Sequence, residues 1–284
     1  MCKPFESFDA RQEMHQSVYE IFHYSDDHPG QVALHHHDFY EVYFFINGSV
    51  DYQVEGQICR LQPGDLLLIS PLELHQPIIH QNSEPYERIV LWISPDFLHK
   101  YTTQHTSLFR CFDINRPGHT NLIQLTAAQQ IQVRATLDQL LEQTHQKAFG
   151  QDLFCLALLL QFTVQLNRLI PNESDFPTQK PHSTLTDQVI EYIGKHYKES
   201  LSLDVLAERF FVSKYHLSHE FNRVMGTSLY RYITLKRLLI AKQMLASGLS
   251  PTNVYEECGF RDYANFYRAF KAEYGASPSQ FMGN

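Results

Sequence analysis

Three polar residues in the first part of the chain have the spacing and the chemistry to form a site. His35, His37 and Glu41 are separated by even numbers of residues, so on a β-strand their side chains would point to one face. Imidazole nitrogens and carboxylates are ligands for divalent ions such as zinc, nickel, manganese or iron. The same groups can also contact an organic ligand directly, or hydrogen-bond one another inside a protein. The spacing leaves all three alternatives open.

Two segments around these residues resemble the two sequence motifs of the cupin superfamily. They are His35-x-His37-x3-Glu41-x6-Gly48, and Leu61-Gln-Pro63-Gly64-Asp65 followed by Pro71-Leu-Glu-Leu-His75. The resemblance implies a β-barrel and adds a fourth candidate metal ligand, so that the set becomes His35, His37, Glu41 and His75. The same four residues, together with Tyr43 and Trp92, form the predicted effector pocket.

Aromatic residues near these motifs indicate what the barrel could hold. Tyr43 and Trp92, with Phe39, Tyr40 and Tyr52, offer flat apolar faces beside polar groups, a combination that suits a sugar. Such side chains also fill the core of a small barrel without any ligand. These side chains therefore suit a small-molecule effector such as a sugar.

The C-terminal hundred residues contain an internal repeat. Its two copies, called the first and second repeat, are Leu217-x3-Phe221-x4-Gly226-x-Ser228-x3-Tyr232-Ile233 and Phe266-x3-Phe270-x4-Gly275-x-Ser277-x3-Phe281-Met282. Each copy follows a short predicted helix, capped by Ser202 or Ser250, and a tight turn. The second helix of each copy is predicted to begin near Ser213 or Asp262, which gives the arrangement of a helix-turn-helix motif.

The second repeat also carries a family resemblance. Residues 259–271, with Tyr274-Gly275-Ala276-Ser277-Pro278, resemble the signature of the AraC/XylS family of bacterial regulators, and the resemblance extends over residues 185–284. It implies a DNA-binding domain with two helix-turn-helix motifs, and control by a small-molecule effector that is a sugar or a related catabolite. Two such motifs would place their recognition helices in successive major grooves, about 34 Å apart.

Helical periodicity separates buried from exposed positions in the two recognition helices. Leu217, Phe221 and Val224 are predicted to be buried in the first repeat, and Phe266 and Phe270 in the second. The residues left to face DNA bases are Tyr215, His216, Ser218, His219, Asn222, Tyr263, Asn265, Tyr267 and Arg268. Among these, Arg268 suits a bidentate contact with guanine, and Asn265 suits pairing with adenine. The cations predicted to contact phosphates are Lys214, Arg223, Lys236, Arg237 and Lys271.

Changes of sequence pattern predict the elements that position these residues. Short β-branched and aromatic runs from Val18 to about Ser94 indicate strands. A capping box from Thr126 to Gln129 then begins a helix, and a second apolar helix runs from Leu153 to Leu169. In the first of these helices we predict one apolar face that contains Ile131, Leu137, Leu140 and Leu141. Two helices with broad apolar faces favour packing against the barrel or against a second subunit.

These patterns predict an α+β protein with two domains. Residues 1–170 would form a cupin-like β-barrel with a helical dimerisation segment, which binds the effector. Residues 171–183, which contain three prolines, would form a linker. Residues 184–284 would form an all-α DNA-binding domain with two helix-turn-helix motifs.

Charge and cysteine content agree with this division. Residues 1–183 carry a formal charge of −10 and the remainder +2, within a total of −8, so only the second part suits DNA.

The five cysteines are scattered, which fits reduced thiols in the cytoplasm. No N-terminal segment resembles a signal peptide, and no apolar stretch has the length that spans a bilayer. We expect a cytoplasmic protein without a membrane partner.

Three classes of function follow, and the first is preferred. It is a transcription regulator without enzymatic activity, whose partners are double-stranded DNA, an effector, a second copy of the chain and, as a candidate, RNA polymerase. The alternative is a metal-dependent cupin enzyme, based on the histidines and Glu41, which would not need the C-terminal hundred residues. The third class is a DNA-architectural or oligomeric protein with an inert barrel.

Overall fold

The structure is a computed structural model that describes residues 14–28, 30–71, 73–80, 84–114, 116–171 and 184–282. The chain divides into two compact units, Met1–Val54 with Ile58–Lys180, and Glu55–Gln57 with Pro181–Asn284. We call them the N-terminal and C-terminal domains and describe each separately. Residues 172–183 of the predicted linker lie outside the described residues, as do residues 1–13 and 283–284.

Two antiparallel sheets form the N-terminal domain. The strands are β1 (Tyr19–Asp26), β2 (Tyr40–Asn47), β3 (Val50–Val54), β4 (Gln57–Arg60), β5 (Leu66–Ile69), β6 (His75–Ile79), β7 (Tyr86–Ile93) and β8 (Leu122–Ile123). Within the described residues, one sheet has the order β1-β7-β2-β5-β8 and the other the order β4-β3-β6. Strand β7 lies between β1 and β2, and pairs Trp92 with both Glu20 and Glu41.

The larger sheet is buried on both faces, and alternation along its strands divides its side chains between two cores. One face of β2 and β7, with Tyr43, Phe45, Val90 and Trp92, packs in one core with Tyr52 of β3 in the smaller sheet. The opposite face contains alternate residues of the same strands and packs against helices. The first of these cores is the interior of the barrel.

Three α-helices and a 3-10 turn at Arg110–Phe112 complete the N-terminal domain among the described residues; the α-helices are α1 (Pro95–Tyr101), α2 (Ala127–Thr144) and α3 (Gln151–Leu169). The predicted capping box at the start of α2 is confirmed, since Thr126 and Gln129 bond each other's backbone. The apolar face of α2 differs from the prediction, however. Ile131 is 72% exposed and Val133 is buried in its place, because Val133, and not Ile131, lies on the helical face of Leu137, Leu140 and Leu141.

The C-terminal domain is helical. Its helices are α4 (Leu185–His196), α5 (Leu203–Arg209), α6 (Lys214–Met225), α7 (Leu229–Ala246), α8 (Pro251–Glu257) and α9 (Tyr263–Tyr274), followed by a 3-10 turn at Pro278–Phe281. The predicted helix starts are confirmed, with Ser202, Ser213, Ser250 and Asp262 as N-caps. Helix α4 is an addition to the predicted elements, and it begins with a capping box of Thr184 and Asp187.

The two repeats bury equivalent positions. Leu217 and Phe221 of α6 are buried, as are Phe266 and Phe270 of α9. Val224 is only half-buried, and Met225 is fully buried instead. The reason is that residues 217, 221 and 225 follow one i, i+4 row of the helix. Among the described residues, every helix is too short or too polar to cross a membrane.

Candidate ligand pocket and nucleic-acid interface

The three predicted pocket histidines lie close together, although the backbone that carries them differs from the prediction. Strand β2 begins only at Tyr40, so His35 and His37 lie before it. His35 instead pairs with His75, through backbone N–H to O distances of 3.0 and 2.9 Å. This isolated bridge brings the ring centroids of His35 and His75 to 4.3 Å, and those of His37 and His75 to 4.8 Å. The predicted strand parity of His35, His37 and Glu41 therefore does not hold, because the two histidines lie outside β2.

Main-chain carbonyls set the orientation of all three rings. Nδ1 of His35 donates to the carbonyl oxygen of Ala33, Nδ1 of His37 to that of Phe39, and Nδ1 of His75 to that of Glu73, at 2.8, 2.8 and 2.9 Å. A neutral imidazole that donates from Nδ1 carries its lone pair on Nε2. Burial lowers the pKa of His75 well below its usual value, and the neighbouring His35 and His37 rings lower it further. His75 is therefore a neutral acceptor at pH 7.

Glu41 is the buried carboxylate of this cluster. Its Oε2 accepts a hydrogen bond from Nε1 of Trp92 at 2.9 Å, and its Oε1 accepts one from the Tyr52 hydroxyl at 3.4 Å. Oε2 also lies 3.5 Å from Nε2 of His37. Burial alone would raise the pKa of Glu41, but interactions with His37, His35 and Trp92 outweigh it and hold that pKa below its usual value. The barrel thus contains an ionised carboxylate.

Three members of the predicted metal set have a suitable arrangement. His37, Glu41 and His75 are buried, and their ligand atoms lie within 4.8 Å of one another. Nε2 of His37 and Nε2 of His75 are buried without a hydrogen-bond partner among the described residues, and Nε2 of the neutral His75 carries a lone pair. Two imidazoles and one carboxylate form a donor set that fits a divalent transition metal. His35 is half-buried at the margin of this group.

Aromatic rings surround the cluster on the barrel side. The Phe39 ring stacks on His37 at 4.0 Å and lies 4.4 Å from Trp92, and Tyr43 lies 5.0 Å from Tyr52. Tyr40 does not belong to this wall. Its ring faces the opposite side of the sheet and contacts Phe112, because it is one residue out of phase with Glu41 and Tyr43.

The interior also contains a polar group that the sequence interpretation missed. Arg88 is buried on β7, where it is paired with Asp26 and lies 4.1 Å from the centroid of Tyr86. The hydroxyl of Tyr86 in turn contacts that of Tyr43. The sequence contained the information needed to place Arg88. Tyr86, Arg88, Val90 and Trp92 are every second residue of β7, so their side chains point to the same, inward face of the strand.

In the first repeat, every residue predicted to face DNA bases is exposed: Tyr215, His216, Ser218, His219 and Asn222. Tyr215 stacks on His219 with ring centroids 5.9 Å apart. Both flanking cations have acidic partners, since Lys214 pairs with Asp204, and Arg223 pairs with Glu220 at 2.6 Å. These are exposed ion pairs, which DNA phosphates can replace at little cost.

In the second repeat, Asn265, Arg268 and Lys271 are exposed, whereas Tyr263 and Tyr267 are half-buried. Tyr263 packs against Tyr255 and Phe266, so part of its ring belongs to the hydrophobic core. Arg268 donates from Nη2 to Oδ1 of Asn265 at 2.6 Å. The exposed side chains of Asn265 and Arg268 therefore contact each other directly.

The two predicted phosphate contacts on α7 are less exposed than expected. Lys236 and Arg237 are both half-buried. Nε of Arg237 donates to the carbonyl oxygen of Tyr197 at 2.9 Å, and its Nη2 to that of Glu199 at 2.7 Å. These carbonyls follow the C-terminal end of α4, where backbone acceptors lack helical partners. This placement assigns Arg237 to the domain's own structure and argues against a phosphate contact.

Comparison with known proteins places both domains in one family. Residues 18–163 match the family model described as the AraC-like ligand binding domain, and residues 206–284 match that of a helix-turn-helix domain. The HTH-type transcriptional activator RhaS of Escherichia fergusonii is 27% identical over 259 residues, covering 88% of this chain and 87% of that protein. The uncharacterized HTH-type transcriptional regulator YbfI of Bacillus subtilis is 28% identical over 235 residues, which cover 81% and 80%.

Among solved structures, the C-terminal domain of AraT, a response regulator from Geobacillus stearothermophilus, is 31% identical. The match covers 35% of this chain and 84% of that one, with a TM-score of 0.34. The order of a ligand-binding domain and a helix-turn-helix domain, together with similarity over most of the length of RhaS, confirms the resemblance read from the repeats. The chain belongs to the AraC family of transcription regulators.

Proposed function

We propose that this regulator binds a sugar or a related small catabolite inside its N-terminal barrel, and that the ligand changes how the protein binds DNA. The observation that carries the proposal is the buried Glu41 carboxylate, held by Trp92 and Tyr52 beside aromatic rings. A carboxylate accepts hydrogen bonds from sugar hydroxyls, and aromatic faces pack against the C–H faces of sugar rings. The interior thus offers both kinds of contact.

His75 supports a ligand with hydroxyl donors. Nε2 of His75 is a buried acceptor without a hydrogen-bond partner among the described residues, and a buried polar atom gains stability when a hydrogen bond satisfies it. A ligand hydroxyl can donate to this nitrogen. A ligand without donors would leave it unsatisfied at a cost.

Ligand binding is proposed to act through a homodimer. Ile131 of α2 and Leu153 of α3 are exposed by 72% and 66%, and both lie in the segment predicted to dimerise. Burial of these side chains by a second copy would stabilise a dimer.

Since RhaS is named a transcriptional activator, we propose RNA polymerase as a further partner and the cytoplasm, where the DNA is, as the location.

The first experiment is a thermal-shift screen of the whole chain with monosaccharides and sugar acids. A ligand that binds only the native state raises the melting temperature. The variant Glu41→Gln should abolish the shift, while Glu142→Gln, which changes an exposed carboxylate of α2, should keep it. An active sugar must also change the footprint or the affinity on DNA. Absence of salt-sensitive, sequence-selective DNA binding would reject the regulator proposal as a whole.

A second candidate is a divalent metal in the barrel, favoured by the grouping of His37, Glu41 and His75. A bound metal would supply Lewis-acid chemistry or a coordination site for ligand oxygens. Metal analysis of the purified protein should then give one ion per chain, and His75→Ala should lower that content. Stoichiometric metal together with turnover of a substrate would favour the metal-dependent cupin enzyme. A metal-free protein that still binds a sugar would exclude this candidate.

A further inference from the structure

A chain of three exposed polar side chains runs along the first turns of helix α9. Asp262, the N-cap, accepts the backbone N–H of Asn265 on Oδ1 at 2.7 Å. Its other oxygen, Oδ2, accepts from the side-chain amide of Asn265. Oδ1 of Asn265 accepts from Nη2 of Arg268 at 2.6 Å, and Nε of Arg268 donates to the carbonyl oxygen of Ala264 at 3.3 Å.

From this geometry we infer that Arg268 is the base-reading residue of the second repeat, and that Asn265 and Asp262 are positioning residues that aim it. The inference rests on the proposed DNA-binding function and revises the predicted role of Asn265. Pairing of asparagine with adenine uses the amide oxygen and the amide N–H₂ together. In α9 both groups already bond to neighbours, Arg268 and Asp262.

The guanidinium keeps enough donors to read a base. Arginine has five N–H donors, and two of them bond within the helix, one from Nε and one from Nη2. Three remain, two of them on Nη1. A bidentate contact with O6 and N7 of guanine needs two donors. Because the guanidinium group of Arg268 is already held in place, the side chain loses less conformational freedom when it binds a base.

The first repeat lacks this device at the matching positions. Ser213, His216 and His219 stand 49 residues before Asp262, Asn265 and Arg268. The Ser213 hydroxyl accepts the backbone N–H of His216, at 3.1 Å. A serine can therefore cap this helix, but it has no second oxygen with which to fix a side chain. The comparison separates the capping role of Asp262 from its positioning role.

That separation supplies the test. The whole chain and its variants Asp262→Ser, Asn265→Ala and Arg268→Ala would each be titrated with one duplex, selected by the unaltered protein from a random duplex library, and with all its single base-pair variants. Asp262→Ser should keep the cap and the helix, as judged by circular dichroism and melting temperature. Asn253→Ala, on an exposed residue of α8, is the control substitution.

We expect Arg268→Ala to lose discrimination at one guanine, and Asp262→Ser and Asn265→Ala to weaken discrimination at that same base pair by about tenfold. A uniform loss at all positions, unchanged discrimination, or a loss at a different, adenine-containing base pair would overturn the inference. If the unaltered chain selects no sequence from the library, the proposed function fails instead. The two failures are therefore distinguishable.

Discussion

Phe211 and Gly259 occupy the same left-handed backbone position in the turns of the two repeats, with φ of 56° and 80°. Each residue directly follows the C-cap of the first helix of its motif, Phe210 in one case and Cys258 in the other. Glycine adopts this conformation without steric cost, whereas a residue with a Cβ is strained by about 1–2 kcal/mol. The first repeat therefore contains strain that the second avoids.

Phe211→Gly should stabilise the C-terminal domain by about 0.5–1 kcal/mol, because relief of the strain exceeds the added freedom of the unfolded chain. The side chain is 95% exposed, so its removal costs little burial. Urea unfolding followed by circular dichroism measures the change. A loss of stability would show that the phenylalanine ring makes a stabilising contact.

Gly259→Ala should act in the opposite direction. A Cβ at this position would lie 2.5 Å from the carbonyl oxygen of Tyr197 and 2.8 Å from that of Lys198. Neither backbone atom can move aside as a flexible side chain does, so we expect a loss of at least about 2 kcal/mol. Gly248→Ala, with φ of 92° but no neighbour within 4 Å, is the matched control and should lose less.

Arg237 and Lys271 should respond differently to substitution. Arg237→Lys removes the planar guanidinium group that bonds the carbonyls of Tyr197 and Glu199, so it should lower the melting temperature of the C-terminal domain.

Lys271→Ala changes an exposed residue and should leave stability intact. It should weaken DNA binding evenly across sequences and reduce the salt slope by about one. An unaltered salt slope would remove Lys271 from the phosphate contacts.

Alkaline pH should destabilise the barrel. Burial raises the pKa of Tyr86 to about 12, against the opposing charge of Arg88, and raises the pKa of Tyr43 and of Tyr52 well above 10. A raised pKa stabilises the folded state below the unfolded value near 10, and this stability is lost as pH rises toward the folded value. For Tyr86 the loss should reach about 2 kcal/mol near pH 11.5.

Trp92, the sole tryptophan, lies in the barrel core, so its fluorescence reports urea unfolding of the N-terminal domain from pH 9 upward. Tyr86→Phe should show a smaller decline than the unaltered chain. Equal declines in the two proteins would mean that Tyr86 ionises in the folded barrel as readily as in the unfolded chain.

The dimer proposal predicts that Leu153→Glu lowers the molecular mass measured by light scattering from that of two chains to that of one. A charge placed in a buried apolar interface is strongly unfavourable. Ile58→Glu, on an exposed isoleucine of β4, should leave the mass unchanged. A dimer that survives Leu153→Glu would place the interface elsewhere.

The C-terminal helices could be predicted from the sequence because their signals are local. Caps such as Ser213 and Asp262 and the repeat positions Leu217 and Phe266 encode where each helix begins and which face is buried. Periodicity alone left an error of one position, since Val224 and Met225 lie next to each other on the helix and both are apolar.

The barrel site was harder to predict because long-range contacts assemble it. The sequence named His35, His37, Glu41 and His75 as candidates, and the structure groups the last three of them, but strand parity was the wrong reason for the first two. They meet because the His35 backbone pairs with that of His75, a pairing that no local pattern encodes. Arg237 could not be placed from sequence either, since its carbonyl partners lie about forty residues earlier in the chain.

The unlike side chains of α6 and α9 have a consequence for the DNA that one chain would occupy. One recognition helix presents Tyr215, His216 and His219, and the other presents an aimed arginine. If both helices contact bases as proposed, their order along the chain gives the bound sequence a direction, and reversing an operator end for end would present each helix with the wrong bases. Such a protein would distinguish upstream from downstream without any help from a partner.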